Sequence, residues 1–136
     1  MFWLDRNWVE ARARQKILRA LSEIFSREAS SEARGLRLLK SWLTSEQLAQ
    51  FEAKRYFDVI GCYTGRHYRI HYGTANNVHL LDTDGPIVGR CFVPVGHLVA
   101  GDVMLTQKIT LETNELAALA VAQSFLPQQS FPALPA

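Results

Sequence analysis

Residues 56–93 read YFDVIGCYTGRHYRIHYGTANNVHLLDTDGPIVGRCFV, and the hydrophobic period of this stretch decides the fold. Apolar and polar side chains alternate through 56–62, 67–72, 77–82 and 87–93, the period-two signature of half-buried strands. Thr64-Gly65, Gly73-Thr74-Ala75-Asn76 and Asp84-Gly85 separate the runs. Short Gly-bearing connections of this kind make hairpins, not crossovers, so four strands should form an antiparallel meander in the order 1-2-3-4. Pro94 cannot donate to a ladder and suits the end of the fourth strand.

Register follows from the turns, because a one-residue slip turns a whole strand inside out. A two-residue Thr64-Gly65 turn predicts Val59 opposite Ile70, Phe57 opposite Tyr72 and Tyr68 facing Gly61. The next pair should set Ile70 against Val78 and Tyr68 against Leu80. An Asp84-Gly85 turn predicts Val78 opposite Cys91 and Leu80 opposite Gly89. Together these place Phe57, Val59, Tyr68, Ile70, Tyr72, Val78, Leu80, Ile87, Cys91 and Val93 on one face for helices to cover.

Working outward from the sheet, residues 4–27 carry Leu4, Trp8, Ala11, Ile17, Leu18, Leu21, Ile24 and Phe25 at helical spacing. Arg6, Arg12, Arg14, Lys16 and Arg19 make the remaining surface basic. Ser30 and Ser31 read as a break and a cap for a second helix through Leu36, Leu38, Leu39, Trp42 and Leu43 that ends near Thr44. Thr44-Ser45-Glu46-Gln47 reads as a capping box opening a third, to about Arg55. Beyond the sheet, Asp102 is a plausible N-cap for a helix through Leu111, and Thr113 or Asn114 for an Ala-rich helix through Phe125. The fold class expected is therefore α+β: three N-terminal helices, the four-stranded meander, and one or two C-terminal helices packed on one sheet face. Residues 1–126 are expected to be a single domain and 127–136 an unstructured tail.

Bulk composition agrees. The 136 residues are 48% hydrophobic and 21% charged, which suits a globular core without disulfides or metals. Two cysteines are too few for a disulfide framework, no signal-peptide pattern opens the chain, and no run of about twenty apolar residues exists. A soluble cytoplasmic protein with no membrane span is expected. Net charge is only +2, but residues 1–40 hold nine Lys/Arg against five acids, and residues 73–136 hold two against five. Such polarity steers partners in some proteins and is plain solvated surface in others.

The alternation that builds the core puts Asp58, Ile60, Cys62, His67, Arg69, His71, His79, Leu81, Val88, Arg90 and Phe92 on the opposite face. Arginines and imidazoles gathered there nominate a binding surface, with Arg69, His71, His79 and Arg90 as anchors and Arg66 and His67 beside them. A half-polar outer face is also what antiparallel sheets ordinarily have. Phe2, Trp3 and Trp8 beside the basic helix are candidates for contact with a partner or a second copy.

Catalytic and metal chemistry is poorly supported. Cys62, His67, His71, His79, Cys91 and His97 show no close ligand pairs of the zinc type. Cys62 opposite His67 is the one Cys–His pair the register supports, and it lacks evident oxyanion donors. No Gly-rich phosphate loop, nucleophile elbow or zinc-protease motif occurs. Arg66, Arg69 and Arg90 with Tyr63 combine charge and a stacking ring, as single-strand binders do, though the ribonucleoprotein motifs are absent.

The segments 56–59, 65–70 and 77–78, with Gly101-Asp102-Val103-Met104-Leu105-Thr106-Gln107-Lys108 after them, resemble a family of short bacterial proteins over about residues 35–125. The resemblance implies no activity, cofactor or partner. The function expected is a non-catalytic binding module acting through protein–protein contact or self-association, with no cofactor and no metal. A nucleic-acid binder is the alternative, and a Cys-dependent enzyme the last of the three.

Overall fold

The structure is a computed structural model that describes residues 2–82, 84–85, 87–96 and 98–127, with side chains from Asn7 onward. The expected tail beyond 127, His97, and the side chains of Phe2 and Trp3 lie outside the described residues. In chain order the elements are α1 (Phe2–Trp42), α2 (Ser45–Lys54), β1 (Tyr56–Ile60), β2 (His67–His71), β3 (Val78–Leu80), β4 (Val88–Cys91), α3 (Ala100–Thr113), α4 (Glu115–Val121) and β5 (Gln123–Phe125). The class is α+β, as expected. Residues up to Arg34 form one compact unit and those from Gly35 onward another.

Ser30 and Ser31 do not break the first helix, which continues through them to Trp42. No Gly or Pro occurs between Phe2 and Arg34, and serine costs only a few tenths of a kcal/mol in a helix interior, roughly, so nothing halts propagation there. The capping box is as read: Gln47 N–H donates to Thr44 Oγ1 at 3.2 Å and Thr44 N–H to Gln47 Oε1 at 3.0 Å. Arg55, left-handed at φ 61°, closes α2 and turns the chain into β1.

The sheet is antiparallel with order β1-β2-β3-β4-β5. The fifth strand falls where a helix was expected through Phe125. After α4 the backbone becomes extended at Ala122 (φ −69°, ψ 140°), and residues 123–125 pair with the edge that β4 would otherwise leave open. At the other end of the C-terminal pair, Val99, not Asp102, is the N-cap of α3, and no side chain caps it.

Register holds in one of three hairpins. Tyr68 faces Leu80 and Ile70 faces Val78, as expected. Between β1 and β2, Phe57 faces Ile70 and Val59 faces Tyr68, two residues from expectation. The cause is the loop: Gly61 N–H donates to Arg66 O at 2.9 Å, so four residues, 62–65, span the turn instead of two. A shift of two keeps every side chain on its face. Between β3 and β4 the shift is one: Val78 faces Arg90, and Leu80 faces Val88. That slip inverts β4. Phe92 is buried in the core, whereas Ile87 and Val93, expected inside, are about half exposed.

The core lies on the Phe57, Val59, Tyr68, Ile70, Val78 and Leu80 face, against Leu39, Phe51, Met104, Leu105 and Leu111. Two glycines let helices approach closely: a Cβ on Gly101 would stand 2.3 Å from the Gly35 carbonyl carbon. Polar clips fix the layers. Asn77 and Gln107 exchange amide hydrogen bonds at 2.8 and 2.9 Å, and Gln107 also donates to Phe92 O at 3.1 Å.

The deepest clip is Glu115, fully buried at the start of α4. Its carboxylate accepts from Tyr63 N–H (3.0 Å), Thr64 N–H (2.7 Å), the Thr64 hydroxyl (2.6 Å) and the Tyr68 hydroxyl (2.6 Å). Burial alone would raise its pKa, but these four donors outweigh that and hold it below its ordinary value near 4.5. Burial and the neighbouring carboxylate push the Tyr68 phenol up to about 12.

Replacing Glu115 by Ala is expected to lower the unfolding free energy by about 3 kcal/mol, since it orphans several charge-assisted donors at once. The folded pKa is depressed, so this carboxylate's contribution is complete above the ordinary value near 4.5 and disappears as pH falls through the folded one. Urea denaturation across acid pH should show a shallower loss in Glu115→Gln than in the wild type.

Candidate binding face on the sheet

The face of the sheet away from the core is laid out by the observed register. Its central row runs Asp58, Arg69, His79, Gly89 and Phe125, and the neighbouring row begins Tyr56, His71. Side chains directly opposite on an antiparallel pair share a face and touch.

Asp58 and Arg69 are consequently locked together. Arg69 Nε donates to Asp58 Oδ1 at 2.8 Å and Nη2 to Oδ2 at 3.0 Å, a bidentate pair. Gln50 closes the other side, donating to Oδ2 at 2.9 Å while its own oxygen accepts from Asp58 N–H at 2.8 Å. Burial would raise the Asp58 carboxyl, yet the Arg69 and Gln50 hydrogen bonds bring it below the usual range. The Arg69 guanidinium also lies 4.1 Å from the Tyr56 ring centre. The arginine nominated as a binding anchor thus commits its Nε and Nη2 donors to an internal pair.

Arg90 is corrected outright. With β4 inverted, it stands opposite Val78 on the core-side face, its Nη1 on Ser124 Oγ and its Nε buried without a partner among the described residues. His67 opens β2 in an exposed pair with Asp82, which accepts from His67 N–H at 2.6 Å and lies 2.8 Å from Nδ1. That pairing, led by the backbone hydrogen bond, lowers the Asp82 carboxyl. Arg66 is exposed in the loop, its N–H on Thr64 Oγ1 at 3.2 Å. Ile60, not Cys62, faces His67. Cys62 sits in the loop with its Sγ 3.5 Å from Glu115 N, so the pair that motivated a thiol enzyme is not formed.

What the sheet does assemble is a row of rings. Tyr56 and His71 centres are 5.3 Å apart, His71 and His79 4.4 Å, and His79 and Phe125 6.0 Å with near-perpendicular planes. Gly89 makes room for the last ring: a Cβ there would stand 2.2 Å from Phe125 Cζ. Tyr56 shares this face opposite His71, a placement that strand alternation from Asp58 implies. Phe125 had no signal, because its strand was read as helix. His71, Tyr72, Asn77, His79, Phe125 and Leu126 line a groove of about 650 Å³. Among the described residues no group of three or more Cys, His, Asp or Glu stands close enough to hold a metal, and no helix is long and apolar enough to cross a membrane.

Comparison with known proteins brings no match: no protein family, curated protein or solved structure is similar to this chain. The resemblance drawn from residues 56–108 adds nothing to the site.

Both histidines of the row are depressed from their ordinary 6.5, His71 by burial, then by His79 and Arg69 against a smaller opposing pull from Asp58, and His79 by burial, then Arg69. A lowered folded pKa means that the folded state binds fewer protons than the unfolded chain in mild acid. Stability from these rings is complete above 6.5 and falls as pH drops below it. Chemical denaturation between neutral and mildly acid pH should show that loss, and His71→Asn/His79→Asn should reduce it. Proton NMR should place both midpoints below the ordinary value.

Proposed function

We propose that the chain is a non-catalytic binding module, and that the ring-lined groove receives an extended segment of a protein partner carrying an aromatic or aliphatic anchor. The observation that carries this reading is the Tyr56–His71–His79–Phe125 row on the sheet face opposite the core. Rigid rings provide contact area at low entropic cost, which is why they dominate interface hot spots. Because Arg69 and Asp58 satisfy one another, the groove recognises shape and apolar surface more than charge. Asn76, left-handed at φ 52°, and Ala75 form its rim beside His71. Two free cysteines suit a reducing cytoplasm.

Peptides selected against the immobilised protein should lose affinity roughly tenfold or more in Phe125→Ala and His79→Ala, the loss expected of central anchors. The melting temperature should stay close to that of the wild type. Equal capture by these stably folded variants would remove the groove from consideration.

One feature supports nucleic acid as a second reading: a row of half-buried rings, with Arg66 nearby in sequence, resembles a stacking platform for single strands. Binding of a labelled oligonucleotide should then fall steeply with salt. No binding at low salt would eliminate it.

A further inference from the structure

We infer that the helix formed by residues up to Arg34 pairs antiparallel with the same helix of a second copy, about a two-fold axis passing beside Leu21. The inference concerns residues 10–32 alone and is independent of the groove on the sheet.

Among the described residues the helix carries an exposed apolar stripe. Ile17 is 60% exposed, Leu18 63%, Leu21 43%, Ile24 49% and Phe25 64%. Leu18, Leu21, Ser22, Phe25, Ser26 and Ala29 line a shallow groove along it. Monomers seldom expose so contiguous an apolar surface, and helices owe most of their stability to packing of such a face.

The occupant is specified by the order of residues about Leu21. Three positions to either side stand Leu18 and Ile24; four positions to either side stand Ile17 and Phe25; seven positions to either side stand Arg14 and Glu28. At 3.6 residues per turn, all of these share the face of Leu21. An antiparallel two-fold pairing sets each residue against its counterpart in the second copy: Leu21 on Leu21, Leu18 on Ile24, Ile17 on Phe25. Arg14 then meets Glu28 of the second copy, and Glu28 meets its Arg14. The apolar block is closed at both ends by opposite charges, as flanking charges specify orientation in coiled coils. Parallel pairing would instead oppose Arg14 to Arg14 and Glu28 to Glu28. The outermost counterparts, Glu10 and Glu32, are like-charged, but they lie beyond the apolar block where solvent screens them.

Sedimentation of the full-length chain over a concentration series tests the pairing. A dimer is expected, and Leu21→Glu should be monomeric with its helical circular dichroism retained. Arg14→Glu should weaken the dimer roughly tenfold, because two symmetry-related pairs change sign together, and Arg14→Glu/Glu28→Arg should restore it. The two exchanged residues are on the helix surface, so this comparison does not depend on Leu21→Glu folding. A wild-type chain monomeric up to roughly 100 µM, a concentration at which even a weak dimer is populated, overturns the inference. A double variant no tighter than Arg14→Glu overturns the antiparallel axis. Co-sedimentation of a monomer with phosphatidylserine vesicles would replace the second copy by a membrane.

Discussion

One buried carboxylate governs the sheet and, through it, the content of the outer face. Glu115 gathers the Tyr63 and Thr64 amides and the Thr64 and Tyr68 hydroxyls around a single charge. A buried charge is tolerable only when its lone pairs are filled, so the chain from 61 to 66 is drawn into the wider loop that presents those donors. Gly61 is needed for the approach, since a Cβ there would stand 2.3 Å from the carboxylate. The wide loop sets Phe57 against Ile70, and that register brings Asp58 beside Arg69.

From this pairing follows the character of the outer sheet face. Had the tight turn formed, Arg69 would have stood opposite Ile60 with its guanidinium open to ligands. Locked to Asp58, which Gln50 holds from its other side, it serves instead as a flat cover over Tyr56. Partial burial and that fixed positive charge lower the pKa values of the histidines beside it. A surface that resembled a cationic platform becomes, after its charges pair internally, a row of rings ending on Phe125.

How much was legible depended on how local the signal was. The capping box of Thr44 and Gln47 is complete within four residues and appeared as read. Alternation in 67–72 and 77–80 placed Tyr68, Ile70, Val78 and Leu80 inside, since one turn sets both strands. Arg90 shows where locality ends. Its orientation depends on a one-residue choice between β3 and β4, and Asp82 is engaged by His67 across the β2 edge, a contact between residues 15 apart. Phe125 lies in a segment whose composition suits either helix or strand, and the open edge of β4 decided in favour of strand.

The amino-acid sequence by itself determined the α+β class, the antiparallel order of the meander and the identity of most of its core, because side-chain period and turn chemistry are properties of neighbouring residues. It also determined the palindromic stripe about Leu21, a pattern readable along one helix. Only the tertiary structure decided which polar groups on the outer face are tied up in internal pairs. Whether an arginine is an anchor or a strut depends on the distance to a carboxylate on another strand, and that distance is set by how a distant buried charge, Glu115, satisfies its hydrogen bonds.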